Sequence, residues 1–198
     1  MQDILDTGVG LFIPSAEDID TCVHKHKSYL KFKEASVKVP ENIVINNEVD
    51  LKEAFDKLSD AKGDIWIRSL DVGGGGKGSL ATSNYEFAKN WIDHYEGWGS
   101  FAAAEMLSPN SVTFLTIWNE GEILVGQGRS RHGWSGRSMS GVTGVTKVGK
   151  INNDPEVVKI AIDSINAISE KPHGIWAVDM SYDRDGIPNP TEINIGRF

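Results

Sequence analysis

The sequence predicts an α+β fold, and three observations support this class. Its 198 residues are 39% hydrophobic and 24% charged, as in an ordinary soluble globular chain. Segments with helical spacing alternate with short strand-like runs, and no internal repeat is visible. Two pairs of these runs flank turn signals, at residues 119–121 and 183–186, so we expect antiparallel hairpins there.

The first half of the chain predicts three helices and two extended segments. Ser15 caps a helix that runs, with a break, to about residue 35, and residues 37–45 are extended but interrupted by Pro40. A helix over residues 47–58 carries one apolar stripe: Val49, Leu51, Ala54, Phe55 and Leu58. A short strand over residues 64–67 follows. The capping box at residues 83–86 then opens a helix to about residue 95, with four apolar residues on its buried face: Phe87, Ala88, Trp91 and Ile92.

The second half predicts strands around one long helix. An apolar run at residues 101–107 precedes a hairpin of residues 112–118 and 122–125. Asp154 and Pro155 form a helix start, with a cap followed by proline at the first helical position, and the helix extends over residues 156–169. Two strands close the chain, at residues 176–180 and 191–195.

Composition excludes several classes of protein. No apolar run approaches the roughly 20 residues of a membrane span, and no secretory signal is visible at the N-terminus. A single cysteine, Cys22, can form neither an intrachain disulfide nor a zinc site by itself, which favours the reducing cytoplasm. The net charge of −8 argues against a nucleic-acid partner.

The charge is distributed unevenly along the chain. Residues 123–153 contain no acid but carry Arg129, Arg131 and other basic side chains, together with seven glycines. Backbone N–H groups and guanidinium groups both suit phosphate or carboxylate, so this segment is predicted to be an anion-handling loop. The alternative is a solvated flexible loop with incidental charges.

A second glycine-rich segment spans residues 73–79. It does not have the P-loop spacing, because Lys77 precedes Gly78 and an extended run, rather than a helix, follows Ser79. A strand–turn–strand flap is the better interpretation, since a glycine backbone can close over phosphates without obstruction. As a bare motif, a glycine run is equally typical of a plain loop.

Three oxygen-bearing side chains are predicted to converge near the C-terminus. Glu192 and Asn194 lie at i and i+2 and so on one face of the last strand, and Asp179 lies on the strand before it. Two carboxylates and an amide oxygen suit Mg²⁺, which keeps waters and bridges nucleotide phosphates. The alternative is a pair of edge-strand acids without a metal.

These motifs, in their order, resemble the nucleotide-binding core of the ATP-grasp superfamily. The match runs through His24, Lys25, Ser28 and Pro40, the strand that ends in Arg68, the glycine-rich segment, residues 104–107, and the acid followed 13 residues later by Glu-x-Asn and Arg197. Within the superfamily the chain is similar to the large chain of carbamoyl-phosphate synthetase and related carboxylate–amine ligases. His24 and Ser111 depart from the usual Asp and Glu of the pattern.

The resemblance implies a fold of two α/β lobes with ATP between antiparallel sheets. The lobes would span residues 21–100 and 101–198, after a lead-in of residues 1–20. It further implies a set of ATP contacts: Lys25, Arg68, Gly74, Gly75, Gly76, Lys77, Gly78, Glu105, Met106 and Leu107. Mg²⁺, or Mn²⁺ in its place, would bind Asp179, Glu192 and Asn194, and the catalytic arginines would be Arg129, Arg131 and Arg197.

The implied activity is ATP-dependent ligation of a small carboxylate to an amine or thiol through an acyl phosphate. Only 24 residues precede Lys25, so the resemblance also implies a truncated core, with a dimer or a missing N-terminal domain completing it. Two alternatives stay open at this point. One is a nucleotide-binding module without turnover that needs a partner domain, and the other is an unrelated anion-binding protein.

Overall fold

The computed structural model describes residues 6–70, 78–137 and 144–196. These residues form five helices: α1 (Ala16–Val23), α2 (Lys25–Glu34), α3 (Glu48–Leu58), α4 (Tyr85–His94) and α5 (Pro155–Ile168). Nine strands accompany them: β1 (Asn42–Ile45), β2 (Ile65–Ser69), β3 (Leu80–Thr82), β4 (Phe101–Ala104), β5 (Ser111–Asn119), β6 (Glu122–Arg137), β7 (Gly144–Ile151), β8 (Gly174–Tyr182) and β9 (Pro188–Ile195). The predicted α+β class is confirmed. No helix within the described ranges is long and apolar enough to cross a membrane.

The strands form two antiparallel sheets. The first has the order β1-β4-β2-β3 and the second has the order β7-β6-β5-β8-β9. Helices α3 and α4 pack on the first sheet, whereas α1, α2 and α5 pack on the second. The lobe boundaries at residues 20 and 100 remain a proposal. Strand β4 begins directly after residue 100 but pairs with β1 and β2 of the first sheet.

Each sheet has its own hydrophobic core. The first core gathers residues between Ile45 and Ala103, including the fully buried Ile65 and Ile67. The second is centred on Trp176 and Ile165, and α1 and α2 add Cys22 and Phe32 to it. The N-terminal helices therefore complete the core of the C-terminal sheet.

Several predicted helix starts are confirmed by cap hydrogen bonds. The Ser15 side chain accepts from the Asp18 N–H at 3.0 Å, and α1 ends before His24, where the predicted break occurs. Asp154 likewise caps α5. The prediction for α4 was wrong by one residue, because Asn84, rather than Ser83, accepts from the Phe87 N–H at 2.9 Å.

Two apolar side chains were assigned to the wrong face. Val49 is 74% exposed, because the buried stripe of α3 passes through Leu51, Ala54 and Leu58, and a residue two positions before Leu51 lies on the other side. Phe87 is 49% exposed, because Ala88 and Ile92 define the buried face of α4.

The predicted basic loop is largely strand. Residues 123–153 fall mainly in β6 and β7, which pair as a long hairpin from Arg129 opposite Ile151 to Arg137 opposite Gly144. Glycines here allow close packing: a Cβ at Gly126 would lie 2.9 Å from the Phe114 ring. At Gly126, Gly128 and Gly149, the absence of a side chain therefore allows neighbouring groups to approach closely.

The turn between β8 and β9 is fixed by Asp183. Its buried carboxylate pairs with Lys38 and accepts from the Ile187 N–H at 2.9 Å and from Asn189 Nδ2 at 3.1 Å. Burial alone raises the pKa of the Asp183 carboxyl, but these hydrogen bonds and the Lys38 charge outweigh it and lower the pKa to about 2.

This carboxylate makes the stability of the protein sensitive to acid. Because the pKa of Asp183 falls from 3.8 in the unfolded chain to about 2 in the folded one, its contribution is complete above about pH 4 and lost as the pH falls towards 2. Through Asp183, the wild-type free energy of unfolding should fall by about 2 kcal/mol between pH 4 and 2, and Asp183→Asn should lack this fall. Urea unfolding over this pH range measures the difference. Asp185→Asn is the control, because that side chain is exposed, and it should keep the wild-type profile. Equal profiles for wild type and Asp183→Asn would contradict the prediction.

Cys22 is predicted to be chemically inert in the folded protein. Its side chain is 5% exposed, and burial, with the nearby Asp18 carboxylate, raises the pKa of the thiol to about 12. Since the thiolate is the reactive form, we expect no labelling by a thiol reagent at pH 8 within the time that a free cysteine needs for completion. Labelling in 6 M guanidinium chloride gives the control. Rapid labelling without denaturant would show that α1 opens readily.

Candidate functional site

The last hairpin brings two carboxylates and an amide together. Asp179 on β8 lies directly opposite Glu192 on β9, and Asn194 follows on the same face of β9. Asn194 Nδ2 donates to Asp179 Oδ2 at 3.1 Å and to Glu192 Oε1 at 3.3 Å. The structure thus brings the three predicted side chains into one cluster.

Each carboxylate already has a cationic partner from another element. Lys25 Nζ, at the start of α2, lies 2.7 Å from Glu192 Oε2. Arg131 Nη2, on β6, lies 2.5 Å from Asp179 Oδ1. Lys25 and Arg131, which are predicted to contact phosphate or substrate, therefore pair with the two predicted metal ligands, Glu192 and Asp179.

Thr113 is a site residue that the sequence analysis missed. It is buried on β5, between β6 and β8. Its Oγ1 donates to Asp179 Oδ1 at 2.5 Å and accepts from Arg131 Nη2 at 2.6 Å. The signal in the sequence is a hydroxyl side chain within the mainly apolar run of residues 112–118.

Arg68 links the first sheet to the second. It lies within β2, and its Nη1 donates to the Thr191 carbonyl of β9 at 3.2 Å. Its Nε is fully buried and has no hydrogen-bond partner among the described residues. Burial lowers the pKa of the Arg68 guanidinium, and the Glu192 carboxylate offsets part of this effect. A small cavity next to it is lined by residues of α2, β2 and β9, including Lys25, Ser28, Tyr29, Arg68, Thr191 and Glu192.

The charge state of Glu192 follows from these neighbours. Burial on its own raises the pKa of this carboxyl, but the charge and hydrogen bond of Lys25, the Asn194 amide and the Arg68 charge lower it below its usual value. Glu192 is therefore ionised at neutral pH. The ionised Glu192 carboxylate can bind a cation, and the neighbouring Nε–H of Arg68 can donate to an anion. The site therefore has groups for both.

The segment between the sheets is tied to both. The Glu105 N–H donates to the Glu41 carbonyl at 3.1 Å, and the Glu105 side chain accepts from the Glu41 N–H at 3.2 Å. The Ser108 N–H donates to the Tyr182 carbonyl at 2.8 Å. Met106 and Leu107 lie between these two ties and are half-buried.

The strands on either side of residues 70–79 pair as the flap prediction requires, with Ile67 opposite Leu80. Gly78 adopts a φ of +74°, and its carbonyl accepts from Trp91 Nε1 at 3.0 Å. Gly74, Gly75, Gly76 and Lys77 lie outside the described residues, as does Arg197.

Arg129 differs from Arg131 although both project from the same face of β6. Arg129 is exposed and forms no ion pair within the part of the chain that the structure describes. Of these two arginines, the structure therefore brings Arg131, and not Arg129, to the carboxylates.

The donor set fits Mg²⁺ better than a metal that needs a full protein cage. The described residues hold no cluster of three or more His, Cys, Asp or Glu side chains placed for a metal. Two carboxylates with one amide are the few hard oxygen ligands that suit Mg²⁺, which retains several waters. The unused N–H of Arg68 beside them suits an anionic oxygen.

Neither a family profile nor a curated protein sequence matches this chain. Solved structures do match. The D-Ala:D-Ser ligase VanG of Enterococcus faecalis superimposes with a TM-score of 0.75 at 18% identity, over 98% of this chain and 59% of that one. Carboxyaminoimidazole ribonucleotide synthase of Aspergillus clavatus, in complex with ATP, gives 0.76 at 13% identity, over 100% and 50%. The ATP-grasp ligase PsnB gives 0.66 at 14% identity, over 98% and 58%.

This chain has the ATP-grasp fold. The agreement extends over nearly its whole length, although the chain spans only about half the length of these structures. Within the ATP-grasp fold, the cluster of Asp179, Glu192 and Asn194 lies on the second sheet, where Arg68 of the first sheet reaches it. The sequence resemblance is confirmed at the level of the fold.

Proposed function

We propose that this chain is the core of an ATP- and Mg²⁺-dependent ligase that joins a small carboxylate to an amine or thiol. The main support is one cluster of side chains from four elements, in which Arg68 of the first sheet reaches the second. Its members are Lys25, Arg68, Asp179, Glu192 and Asn194. The solved structures with this fold include proteins named as ligases, which supports the reaction class. The same proposal includes a cytoplasmic location and either a dimer or a further N-terminal domain that completes the substrate site.

Asp179, Glu192 and Asn194 would hold the Mg²⁺. When bound, this cation neutralises charge on the phosphates of ATP. Lys25 and Arg68 would bind phosphate oxygens, with Gly74, Gly75, Gly76, Lys77 and Gly78 covering them, and Glu105, Met106 and Leu107 would bind the adenine. Arg129, Arg131 and Arg197 would steer the substrate carboxylate or stabilise the negative charge that develops on the phosphoryl group.

The reaction then needs positioning and charge stabilisation rather than a protein nucleophile. A carboxylate oxygen of the substrate attacks the γ-phosphorus, and the bond from that phosphorus to the bridging oxygen of ADP breaks. The amine or thiol attacks the acyl carbon of the resulting acyl phosphate, and inorganic phosphate leaves with the electron pair of the C–O bond. Fixed cations that hold the phosphoryl oxygens stabilise the charge that develops in the first step.

The first test is stabilisation by ligand. With ATP and Mg²⁺ at about 100 times the Kd, linkage predicts about 2.7 kcal/mol of stabilisation, or a rise in Tm of about 5–10 °C for a chain of this size. We expect Asp179→Asn and Glu192→Gln to lose most of this rise, measured by differential scanning fluorimetry with and without ligand. Asp185→Asn, an exposed acid outside the cluster, should keep it.

The second test is turnover. Phosphate release is measured with ATP, Mg²⁺ and a panel of amino acids and other small carboxylates. Release that depends on one carboxylate supports the ligase. Stabilisation by ATP without release under any condition would favour the nucleotide-binding module, and the absence of any stabilisation would contradict the proposed function.

A further inference from the structure

Each carboxylate of the candidate site is paired with a cationic side chain of the same chain. Asp179 and Glu192 supply two negative charges, and Arg131 and Lys25 supply two positive charges at 2.5 and 2.7 Å. The Arg131 and Asp179 side chains are 21% and 15% exposed. Contacts at these distances in a partly buried setting are much stronger than exposed surface pairs. The carboxylates are therefore already satisfied by side chains.

The Arg131 pair is built more tightly than the Lys25 pair. Thr113 Oγ1 lies 2.5 Å from Asp179 Oδ1 and 2.6 Å from Arg131 Nη2, so three groups on three adjacent strands form a closed triangle. Thr113 itself is 3% exposed. A buried hydroxyl bonded to both partners holds the guanidinium nitrogen at one carboxylate oxygen and limits where it can move.

A divalent cation needs the oxygen lone pairs that Arg131 uses now. We propose that Arg131 is a resident counter-ion of Asp179 that yields the carboxylate to the cation and turns to an anionic oxygen of the ligand, with Thr113 as its positioning residue. This inference rests on the proposed function, because it takes Asp179 as a metal ligand.

The consequence is that cation and polyphosphate assist each other. A cation alone has to displace the Arg131 guanidinium from Asp179. A polyphosphate alone has to compete with a carboxylate for that guanidinium. When both bind, the cation meets the carboxylates and the freed positive charge meets the phosphates, so each ligand removes the cost of the other.

The chain offers a matched control for this idea. Arg129 carries the same charge on the same face of β6, two residues from Arg131, but it is exposed and pairs with no acid among the described residues. Removing either arginine lowers the local positive charge by one. Only the removal of Arg131 takes away the ion pair of Asp179.

The experiment titrates the full chain with Mn²⁺ alone. Electron paramagnetic resonance measures the concentration of free Mn²⁺ at each step and so gives the Kd. We expect Arg131→Met to bind Mn²⁺ about tenfold more tightly than wild type and Thr113→Val to bind it about threefold more tightly, because the counter-ion is absent or loosened. Arg129→Met should stay within twofold of wild type, since an exposed charge at longer range is screened. Asp179→Asn should bind Mn²⁺ at least tenfold more weakly.

A second titration uses ATP in EDTA, without metal. Arg131→Met should bind ATP about tenfold more weakly than wild type, the reverse of its effect on Mn²⁺. If Arg131→Met does not fold, Arg131→Lys carries the test, because it keeps the charge but cannot reach Asp179 and Thr113 together, and should tighten Mn²⁺ about threefold.

Two results would overturn the inference. One is unchanged or weaker Mn²⁺ binding in folded variants of Arg131, and the other is an equal gain in Arg129→Met. Failure of the proposed function looks different, because the Mn²⁺ ranking would appear as expected while ATP neither binds nor stabilises any variant.

Discussion

Arg68→Met is expected to abolish most ATP binding while leaving the unliganded protein about as stable as wild type. The buried Nε of Arg68 has no partner in the described ranges, and burial already disfavours its charge. Methionine removes the cost of burying the guanidinium, and this gain offsets the lost hydrogen bond to the Thr191 carbonyl and the lost attraction to Glu192. We therefore expect a change of less than about 1 kcal/mol in the free energy of unfolding. Losing a charged contact to phosphate should weaken ATP binding by about 100-fold, or about 2.7 kcal/mol.

The measurement is isothermal titration calorimetry with ATP and Mg²⁺, together with urea unfolding of the free protein. Arg68→Lys keeps the charge without the planar fork and should lose only about tenfold in affinity. Wild-type affinity in Arg68→Met would show that Arg68 serves the fold through Thr191 and not the ligand. A large loss of stability would show the same.

Gly128→Ala is expected to be the most destabilising of the small substitutions considered in this chain. A Cβ at Gly128 would lie 1.7 Å from the Asn152 carbonyl oxygen, which is backbone and cannot rotate away. The same glycine is fixed from two sides, because its N–H donates to Asn153 Oδ1 at 2.7 Å and its carbonyl accepts from the Asn152 N–H at 2.9 Å. We expect a loss of about 3 kcal/mol or more and a fall in Tm of about 6–12 °C.

Gly149→Ala is the matched control on the partner strand. Its Cβ would lie 2.8 Å from Arg129 Cδ, the middle of an exposed and flexible side chain that can move. We expect a loss below about 1 kcal/mol, measured by thermal unfolding beside Gly128→Ala. Equal losses in the two variants would contradict the close-packing role that we assign to Gly128.

The acidic cluster could be predicted because local rules determine it. Side chains alternate along a strand, so Glu192 and Asn194 share a face. The register that follows the turn at residues 183–186 would pair Asp179 with Thr191, and a local register shift between Asp179 and Met180 brings Asp179 opposite Glu192 instead. Helix caps at Ser15 and Asp154 are equally local. Each of these features depends on residues that are close in the sequence.

The partners of the cluster could not be predicted in this way. Arg131 reaches Asp179 across 48 residues of sequence, and Lys25 reaches Glu192 from the opposite end of the chain. The glycines of β6 were misinterpreted because glycine serves both mobile loops and close packing. Only the positions of Phe114 and Asn152 in space distinguish the two uses. Val49 and Phe87 show the same limit for helices, since hydrophobicity predicts a face but not its exact edge.

The division of the chain between its two cores sets an order for folding during synthesis. The first core uses one continuous stretch from Ile43 to Ala103, so it can close while the ribosome is still making the second sheet. Helices α1 and α2 leave the ribosome earlier but pack on α5 and β9. They must wait, with Cys22 and Phe32 uncovered, until nearly the last strand has been made. The segment that carries Lys25 is therefore synthesised before the strands of both sheets, yet it is among the last to reach its place.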